Sequence, residues 1–294
     1  MGKDIVPVFV LGTPRSGTTV IGKYISSHKD ILDLGEYAGF DFTYRVAPNL
    51  MKTLPSNFKD EYLLSLQKHA AQFAQEMARQ NDCHYFCDST PWTLLAMDKI
   101  KNKLSGAKFV LCVREPQGVI QSLERSFKSG RKWAGNNNQE RFKLWKDFYE
   151  KVKFIPQKDL IVFNYSNFCK KPEQELSLLD QQLFAHGITP TSLDKTIFAE
   201  THATVVSDHR PVSARVDNSG HITLLAREDW NSEKWTIQDE MMLQTDNEYK
   251  EISNFLKNIP LKNSLHPAVI YKNKYLSSLT QNVNMVTNLK DNIR

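Results

Sequence analysis

Short apolar runs alternate with longer amphipathic stretches along the first two thirds of the chain. Residues 8–11 are uncharged and mostly β-branched or aromatic, and Ile21 and Ile25 then follow at helical spacing. Similar apolar runs recur at 30–34, 84–88, 108–113 and 160–163. Such runs are typical of strands buried in a parallel sheet. The pattern predicts an α/β fold, a three-layer domain with a mostly parallel five-stranded sheet flanked by helices.

Apolar positions at helical spacing fill the segments between most of these runs. The predicted helices cover residues 59–80, from about 91 to 104, 117–127, 139–153 and 238–257. Each of the first four lies between two predicted strands, which is the chain order of a parallel sheet with crossover helices.

Residues 12–19, Gly-Thr-Pro-Arg-Ser-Gly-Thr-Thr, form a glycine-containing loop between the first strand and the first helix. Gly12 and Gly17 let the backbone turn so that N–H groups point inward at the positive end of the helix dipole. The spacing is that of the Walker A loop, but Thr18 occupies the position of its lysine and Thr19 its Ser/Thr position. The cation of this loop is Arg15 instead. The loop predicts a P-loop-like site for a phosphate or a similar oxyanion.

Two further charged residues follow predicted strands. Glu36 comes after the run at 30–34, and Arg114 comes directly after the run at 108–113, with Pro116 placed to open the next helix and Ser122 on its second turn. Carboxyl ends of parallel strands meet at one edge of the sheet, so both side chains are expected near the phosphate loop. Position alone leaves Glu36 either as a catalytic carboxylate or as a solvated loop residue.

Residues 14–19 resemble the 5′-phosphosulfate loop of the sulfotransferases that use 3′-phosphoadenosine 5′-phosphosulfate (PAPS), especially the branch with the protein-tyrosine and bacterial enzymes. Arg114 and Ser122 match the pair that holds the donor's 3′-phosphate in that family. The resemblance covers most of residues 5–175. It implies donor contacts from the whole loop, which are Pro14, Arg15, Ser16, Gly17, Thr18 and Thr19.

The resemblance also implies roles for residues outside the loop. Glu36 lies at the family's interval for the general base, Arg15 faces the leaving phosphate, and Tyr165 approaches the adenosine. Relatives often carry a lysine where this chain has Ser89. Either Ser89 contacts the donor sulfate as a neutral group, or another cation such as Arg210 or Arg215 replaces the lysine. Ser213 and Arg215 match, loosely, a loop that closes over the nucleotide.

Composition narrows the class of protein. With 294 residues and 40% hydrophobic content, one sulfotransferase domain over 1–294 is expected, with core motifs in 5–175 and a helical or lid region at about 190–270. A net charge of +5 suits a polyanionic nucleotide but is too small and too dispersed for a nucleic-acid partner. Neither a leader nor an apolar membrane span is visible, so a cytoplasmic protein without integral membrane association is expected.

The predicted function is transfer of a sulfuryl group from PAPS, as co-substrate and without a metal, to a hydroxyl of an acceptor. The acceptor class stays open between a small molecule, a glycan, a lipid and a peptide. An ATP-dependent P-loop kinase is the alternative enzyme, and the missing Walker lysine argues against it. A non-catalytic nucleotide-binding module is the third hypothesis, and Ser89 in the lysine position is its only indication.

Overall fold

The predicted apolar runs pair side by side in one five-stranded sheet. A computed structural model describes residues 4–41, 52–100, 106–189, 212–216, 222–226 and 235–259. The strands of the sheet are β1 (Val6–Leu11), β2 (Ile31–Asp33), β3 (Tyr85–Asp88), β4 (Lys108–Val113) and β5 (Leu160–Asn164). Their order is β2-β3-β1-β4-β5 and every neighbouring pair is parallel, which confirms the predicted fold class.

Seven helices lie between the described strands in sequence, and two more follow the last of them. Within the described residues they are α1 (Thr18–Ile25), α2 (Ser56–Gln80), α3 (Met97–Ile100), α4 (Pro116–Lys128), α5 (Asn138–Glu150), α6 (Tyr165–Lys170), α7 (Pro172–Ala185), α8 (Ile237–Thr245) and α9 (Asn247–Asn258). Short 3₁₀ segments lie at Pro91–Ala96, Lys132–Ala134, Lys151–Phe154 and Gln157–Asp159. The helix predicted from residue 91 therefore begins as a 3₁₀ turn, and the one predicted for 139–153 leaves α geometry after Glu150.

A second, two-stranded sheet was not predicted. Strands β6 (Val212–Val216) and β7 (Ile222–Ala226) pair antiparallel, with Ala214 opposite Leu224. Strand β7 lies close to helices α6 and α7. This hairpin falls inside the region for which the sequence predicted only helices or a lid.

The core lies on both faces of the main sheet, because side chains along a strand alternate between faces. Val8 and Val10 of β1 pack with α1, α6 and α7 on one face. Phe9 faces the other way, where its ring stacks on Phe109 with centroids 5.8 Å apart and meets Phe40 edge-on at 5.0 Å. Burial on both faces explains why these strands are mostly apolar and carry charge only at their ends.

The strand register brings the functional loops to one edge of the sheet. Leu11 at the end of β1 lies opposite Leu111 of β4, and Phe9 lies opposite Asp88, the last residue of β3. Residues 12–17, 34–38, 89–90 and 114–115 therefore all leave the sheet at its carboxyl edge. This is the edge at which open α/β sheets bind ligands.

The sheet and its flanking helices belong to one compact unit that extends to Lys257. A separate unit begins at Asn258 and lies almost wholly outside the described residues, so the predicted single domain over 1–294 stays a prediction. In the part of the chain that the structure describes, no helix has the length and apolarity needed to cross a bilayer.

Candidate functional site

Residues 12–17 form a tight loop between β1 and α1. The N–H of Ser16 donates to the carbonyl of Thr13 at 3.1 Å, and the Ser16 hydroxyl donates to the same oxygen at 2.7 Å. Gly17 is the N-terminal cap of α1, and the first helical bond runs from Ile21 N–H to the Gly17 carbonyl. The amides of the first turn thus have no partner within the helix, which is what an anion site at a helix N-terminus requires.

Two glycines permit this close packing. A Cβ atom on Gly17 would lie 2.4 Å from the Tyr165 ring, and one on Gly12 would lie 2.7 Å from the carbonyl of Cys112. Both glycines also have positive φ angles, 99° and 152°. The loop therefore needs glycine at these positions for backbone conformation and for space.

The structure brings together four of the predicted donor contacts. Arg15 Nε donates to the Ser122 hydroxyl at 3.0 Å, and Arg114 Nη1 donates to the Arg15 carbonyl at 2.9 Å. The Arg114 guanidinium lies over the Tyr165 ring, 4.6 Å from its centroid. The phosphate loop and the β4–α4 connection, about 100 residues apart in sequence, are thus joined directly. Two guanidinium groups, a hydroxyl and the loop amides converge there, a set suited to a polyanion.

The residues of the phosphate loop differ in how far they are exposed to solvent. Pro14, Ser16 and Thr18 are buried, Arg15 and Gly17 are partly exposed, and Thr19 is exposed. Arg114 is 3% exposed and Ser122 2%, so the charge of Arg114 is held in a largely dehydrated place. An anion that reaches it gains more than it would at the open surface, since low dielectric strengthens charged hydrogen bonds.

Helix α5 fixes the backbone of Arg114, a contribution that was not predicted from the sequence. The Tyr149 hydroxyl accepts from the Arg114 N–H at 3.1 Å and donates to the Cys112 carbonyl at 2.9 Å, while Trp145 Nε1 donates to the Arg114 carbonyl at 3.2 Å. Tyr149 and Trp145 stand four residues apart on one buried helix face. Helical spacing of aromatic residues signals burial, but it does not show which backbone groups their polar atoms meet.

Glu36 lies at the predicted edge, on a turn formed by residues 35–38, which we call the Glu36 turn. Its side chain is exposed. The Gly35 N–H donates to Asp33 Oδ1 at 2.8 Å, and the other oxygen of Asp33 pairs with Lys23. One strand, β3, separates β2 from β1, so the turn and the phosphate loop stand about two strand spacings apart, roughly 10 Å.

Tyr37 ties the Glu36 turn to α2. Its ring stacks on Phe73 with centroids 5.8 Å apart, and its hydroxyl donates to the Ala70 carbonyl at 3.3 Å. A Cβ on Gly39 would lie 2.3 Å from this ring, so the chain folds tightly back onto it.

Ser89 is buried, with 4% exposure, and its hydroxyl donates to the Gly35 carbonyl at 3.2 Å. The Ser89 N–H donates to the same carbonyl at 2.8 Å. Its Cβ lies against Gly22 of α1, where an added methyl would come within 2.5 Å. These contacts direct the Ser89 hydroxyl toward the Glu36 turn. The predicted contact of Ser89 with the donor stays a prediction.

Asp88 precedes Ser89 and is fully buried. Its Oδ1 accepts from the Thr90 N–H at 2.9 Å and from the Thr90 hydroxyl. Burial raises the pKa of Asp88 to about 6 in spite of these hydrogen bonds, and the nearby charge of Asp41 adds to the rise. Neither Asp88 nor Thr90 was singled out for a role of its own by the sequence.

The remaining predicted contacts are not described. Ser213 and Arg215 belong to strand β6, of which the structure describes the backbone but not the side chains. Arg210 lies outside the described residues. Among the side chains that the structure does describe, no three His, Cys, Asp or Glu residues are grouped to hold a metal ion. The predicted absence of a metal from the reaction stays a prediction.

Comparisons with known proteins give a consistent result. A model of the Sulfotransferase family matches residues 7–183. A Caenorhabditis briggsae protein named "Putative protein-tyrosine sulfotransferase" is 22% identical over 183 residues, or 58% of this chain and 62% of that relative. The chain thus spans less than two thirds of the length of this curated relative.

Solved structures resemble the chain more distantly in sequence. The sulfotransferase domain from the curacin biosynthetic pathway is 16% identical with a TM-score of 0.49, over 87% of this chain and 99% of that one. A sulfotransferase from Alicyclobacillus acidocaldarius is 15% identical with a TM-score of 0.42, over 69% and 92% of the two chains.

Proposed function

The chain belongs to the sulfotransferase family, and from that premise we propose that it transfers a sulfuryl group from PAPS to a hydroxyl of an acceptor, with Glu36 as the general base. The observation that carries the proposal is the junction between the two anion-binding segments. Arg15 Nε meets the Ser122 hydroxyl and Arg114 Nη1 meets the Arg15 carbonyl, so groups suited to a 5′-phosphosulfate and to a 3′-phosphate form one site.

The residues present fit such a donor. The cradle of residues 12–17 is kept open by two glycines at which a Cβ would collide with Tyr165 or Cys112. We assign Pro14, Arg15, Ser16, Gly17, Thr18 and Thr19 to the 5′ end of the donor. We assign Arg114 and Ser122 to its 3′-phosphate. We assign Tyr165, whose ring lies under the Arg114 guanidinium and beside Gly17, to the nucleoside side.

When bound, the donor supplies the sulfuryl group and a phosphate leaving group. Arg15 and the amides at the start of α1 face the place where negative charge builds on that phosphate, which is preorganised electrostatic stabilisation. Glu36 takes the proton of the acceptor hydroxyl as the new S–O bond forms. The exposed position of its carboxylate lets an acceptor approach from solvent. No described residue is assigned to a metal in this scheme.

The acceptor is proposed only as a hydroxyl-bearing molecule. Two of the aromatic residues that follow Glu36 make contacts within the protein. Phe40 is 1% exposed, and Tyr37 packs against α2 and hydrogen-bonds to it. Phe42 and Tyr44, the next aromatic residues along the chain, lie outside the described residues.

Titration calorimetry tests the donor assignment. The protein is expected to bind 3′-phosphoadenosine 5′-phosphate in the presence of EDTA and to bind 5′-AMP more weakly. Each charged hydrogen bond to the missing 3′-phosphate contributes about 1.5–3 kcal/mol, or about 10- to 150-fold in affinity. Magnesium-dependent binding of ATP without binding of the bisphosphate would overturn the proposal and favour a kinase.

A further inference from the structure

The Glu36 turn is held in an unfavourable backbone conformation. Gly35 has φ 60° and Ala38 has φ 59°. The left-handed region is unfavourable for a residue with a Cβ, so contacts with the rest of the protein must keep Ala38 there. An exposed carboxylate on a turn of this kind is fixed by the atoms beneath it, because its own side chain packs against little.

The contact that holds Ala38 comes from the end of β3. The Ala38 N–H donates to Thr90 Oγ1 at 3.1 Å. The Thr90 hydroxyl in turn donates its single proton to Asp88 Oδ1, which orients its lone pairs toward Ala38. Asp88 and Thr90 are both 0% exposed, so water does not compete for these bonds. The chain of contacts from Asp88 through Thr90 to Ala38 ends two residues from Glu36.

We infer that Asp88 and Thr90 are positioning residues that set the Glu36 carboxylate for proton transfer, an inference that rests on the proposed function. A general base must lie within hydrogen-bond reach of the acceptor hydroxyl, and a displacement of about 1 Å can lower turnover 100-fold. Thr90 touches neither the phosphate loop nor Arg114 through any of the hydrogen bonds described above. Its effect therefore falls on turnover rather than on donor affinity.

A double-mutant cycle tests this inference. The variants are Thr90→Val, Glu36→Gln and the two combined, with labelled PAPS as donor and 4-methylphenol or water as acceptor. Glu36→Gln should lower kcat about 10²–10⁴-fold. Thr90→Val should lower kcat about 10- to 100-fold with unchanged affinity for the bisphosphate. In the Glu36→Gln background, Thr90→Val should change kcat by less than about 2-fold, since there is no base left to position.

Two further variants complete the design. Thr90→Ser keeps the hydroxyl and should restore most of the lost turnover. Thr93→Val is the matched control, because Thr93 is also fully buried three residues later and its hydroxyl has no hydrogen-bond partner among the described residues. Its turnover should equal that of the wild type.

The outcomes separate the two proposals. If Glu36→Gln has the wild-type rate, the proposed base is wrong. If Glu36→Gln is slow but Thr90→Val lowers the rate equally in both backgrounds, Glu36 is a base and the positioning inference is overturned.

If no transfer to 4-methylphenol or to water is detected, hydrogen exchange of the Ala38 amide tests the inference instead. Thr90→Val should speed exchange of the Ala38 amide at least about 10-fold, since one hydrogen bond contributes about 1.5 kcal/mol, and Thr90→Ser should not. Unchanged protection at Ala38 in Thr90→Val would overturn the inference.

Discussion

Single residues of the phosphate loop combine backbone strain with chemistry. Arg15 has φ 76°, a conformation that a residue with a side chain adopts only when its surroundings hold it. Its side chain meets Ser122 and its carbonyl accepts from Arg114, so both ends of the residue are held. The strain is thus stored where the cation must face the ligand, as is common at functional sites.

Gly17→Ala is the sharpest substitution in the loop. The new methyl would lie 2.4 Å from the Tyr165 ring, which is itself buried. We expect a loss of stability of about 2–5 kcal/mol, from left-handed strain and overpacking together, and loss of bisphosphate binding. Chemical denaturation and calorimetry measure the two effects.

Gly130→Ala is the matched control for that change. Gly130 has φ 93°, close to the 99° of Gly17, but no atom lies within 4 Å of its added Cβ. The variant should lose only the stability that the left-handed backbone conformation costs a residue with a Cβ, about 1–2 kcal/mol, and it should keep its affinity for the bisphosphate. Equal losses in the two variants would show that Tyr165 does not restrict residue 17.

The raised pKa of Asp88 predicts a pH dependence of stability. Its folded pKa of about 6 exceeds the value near 3.9 expected in the unfolded chain. The fold therefore favours the protonated form, and this contribution is full below about pH 4 and is lost as the pH rises through 6. Two pKa units correspond to about 3 kcal/mol.

Asp88→Asn removes this titration, because an amide is neutral at both ends of the range and its oxygen still accepts from Thr90. The free energy of unfolding of the wild type, relative to that of Asp88→Asn, should fall between pH 4 and pH 7. Urea denaturation of both proteins at four pH values measures the difference. Parallel curves would contradict the predicted shift.

At the level of elements, helix α5 and strand β4 are joined by the polar atoms of buried aromatic residues. Trp145 and Tyr149 are both almost fully buried, and their hydrogen bonds go to the backbone of Arg114 and Cys112. Buried tyrosine and tryptophan normally find a partner for their polar atom. Here those partners are the groups that place Arg114 at the edge of the sheet.

Tyr149→Phe should weaken both the fold and the site. Removal of the hydroxyl leaves the Arg114 N–H and the Cys112 carbonyl buried without that partner, which costs about 1–3 kcal/mol. The backbone of Arg114 is then held less firmly, so its guanidinium is less well placed for an anion. Affinity for the bisphosphate should fall about 10-fold, the effect of losing one charged hydrogen bond. Calorimetry on the folded variant, checked by circular dichroism, measures this change.

Tyr85→Phe is the control for Tyr149→Phe. The Tyr85 hydroxyl also accepts from a backbone N–H, that of Thr189, and donates to a carbonyl, that of Gly187. Tyr85 begins β3, at the end of the sheet opposite the site. The variant should lose less stability, because Gly187 and Thr189 are exposed and water can replace the hydroxyl, and it should bind the bisphosphate as the wild type does. Equal loss of affinity in both variants would mean that the effect of Tyr149 is general.

The whole molecule carries a net charge of +5, and the proposed donor is a polyanion. The field of a cationic protein raises the rate at which an anion arrives, and salt screens this field over about 8–10 Å. The association rate constant of the bisphosphate should therefore fall several-fold between 10 and 150 mM salt. Stopped-flow tryptophan fluorescence measures it, with adenosine as the uncharged control, and a salt-independent rate would contradict the prediction.

Local sequence determined the elements and the chemistry of the loops. The apolar runs became β1 to β5 because strands buried on both faces of a parallel sheet are mostly hydrophobic, and the glycines of residues 12–17 are required by a turn at a helix N-terminus. Arg15 could be selected from the sequence because it is the cation of a glycine-containing loop that follows a buried strand. Arg114 and Ser122 were selected because they match the pair that holds the donor's 3′-phosphate in the sulfotransferases.

Tertiary structure alone decided which of these groups touch. The hydrogen bonds from Arg15 to Ser122, from Ala38 to Thr90 and from Tyr149 to Cys112 join residues 107, 52 and 37 positions apart. Periodicity reports that a side chain is buried, but the partner of its polar atom depends on strand order and register, which are set by packing over the whole sheet. For this reason the link from Asp88, at the end of a predicted strand, through Thr90 to the Glu36 turn is found only once the chain is folded.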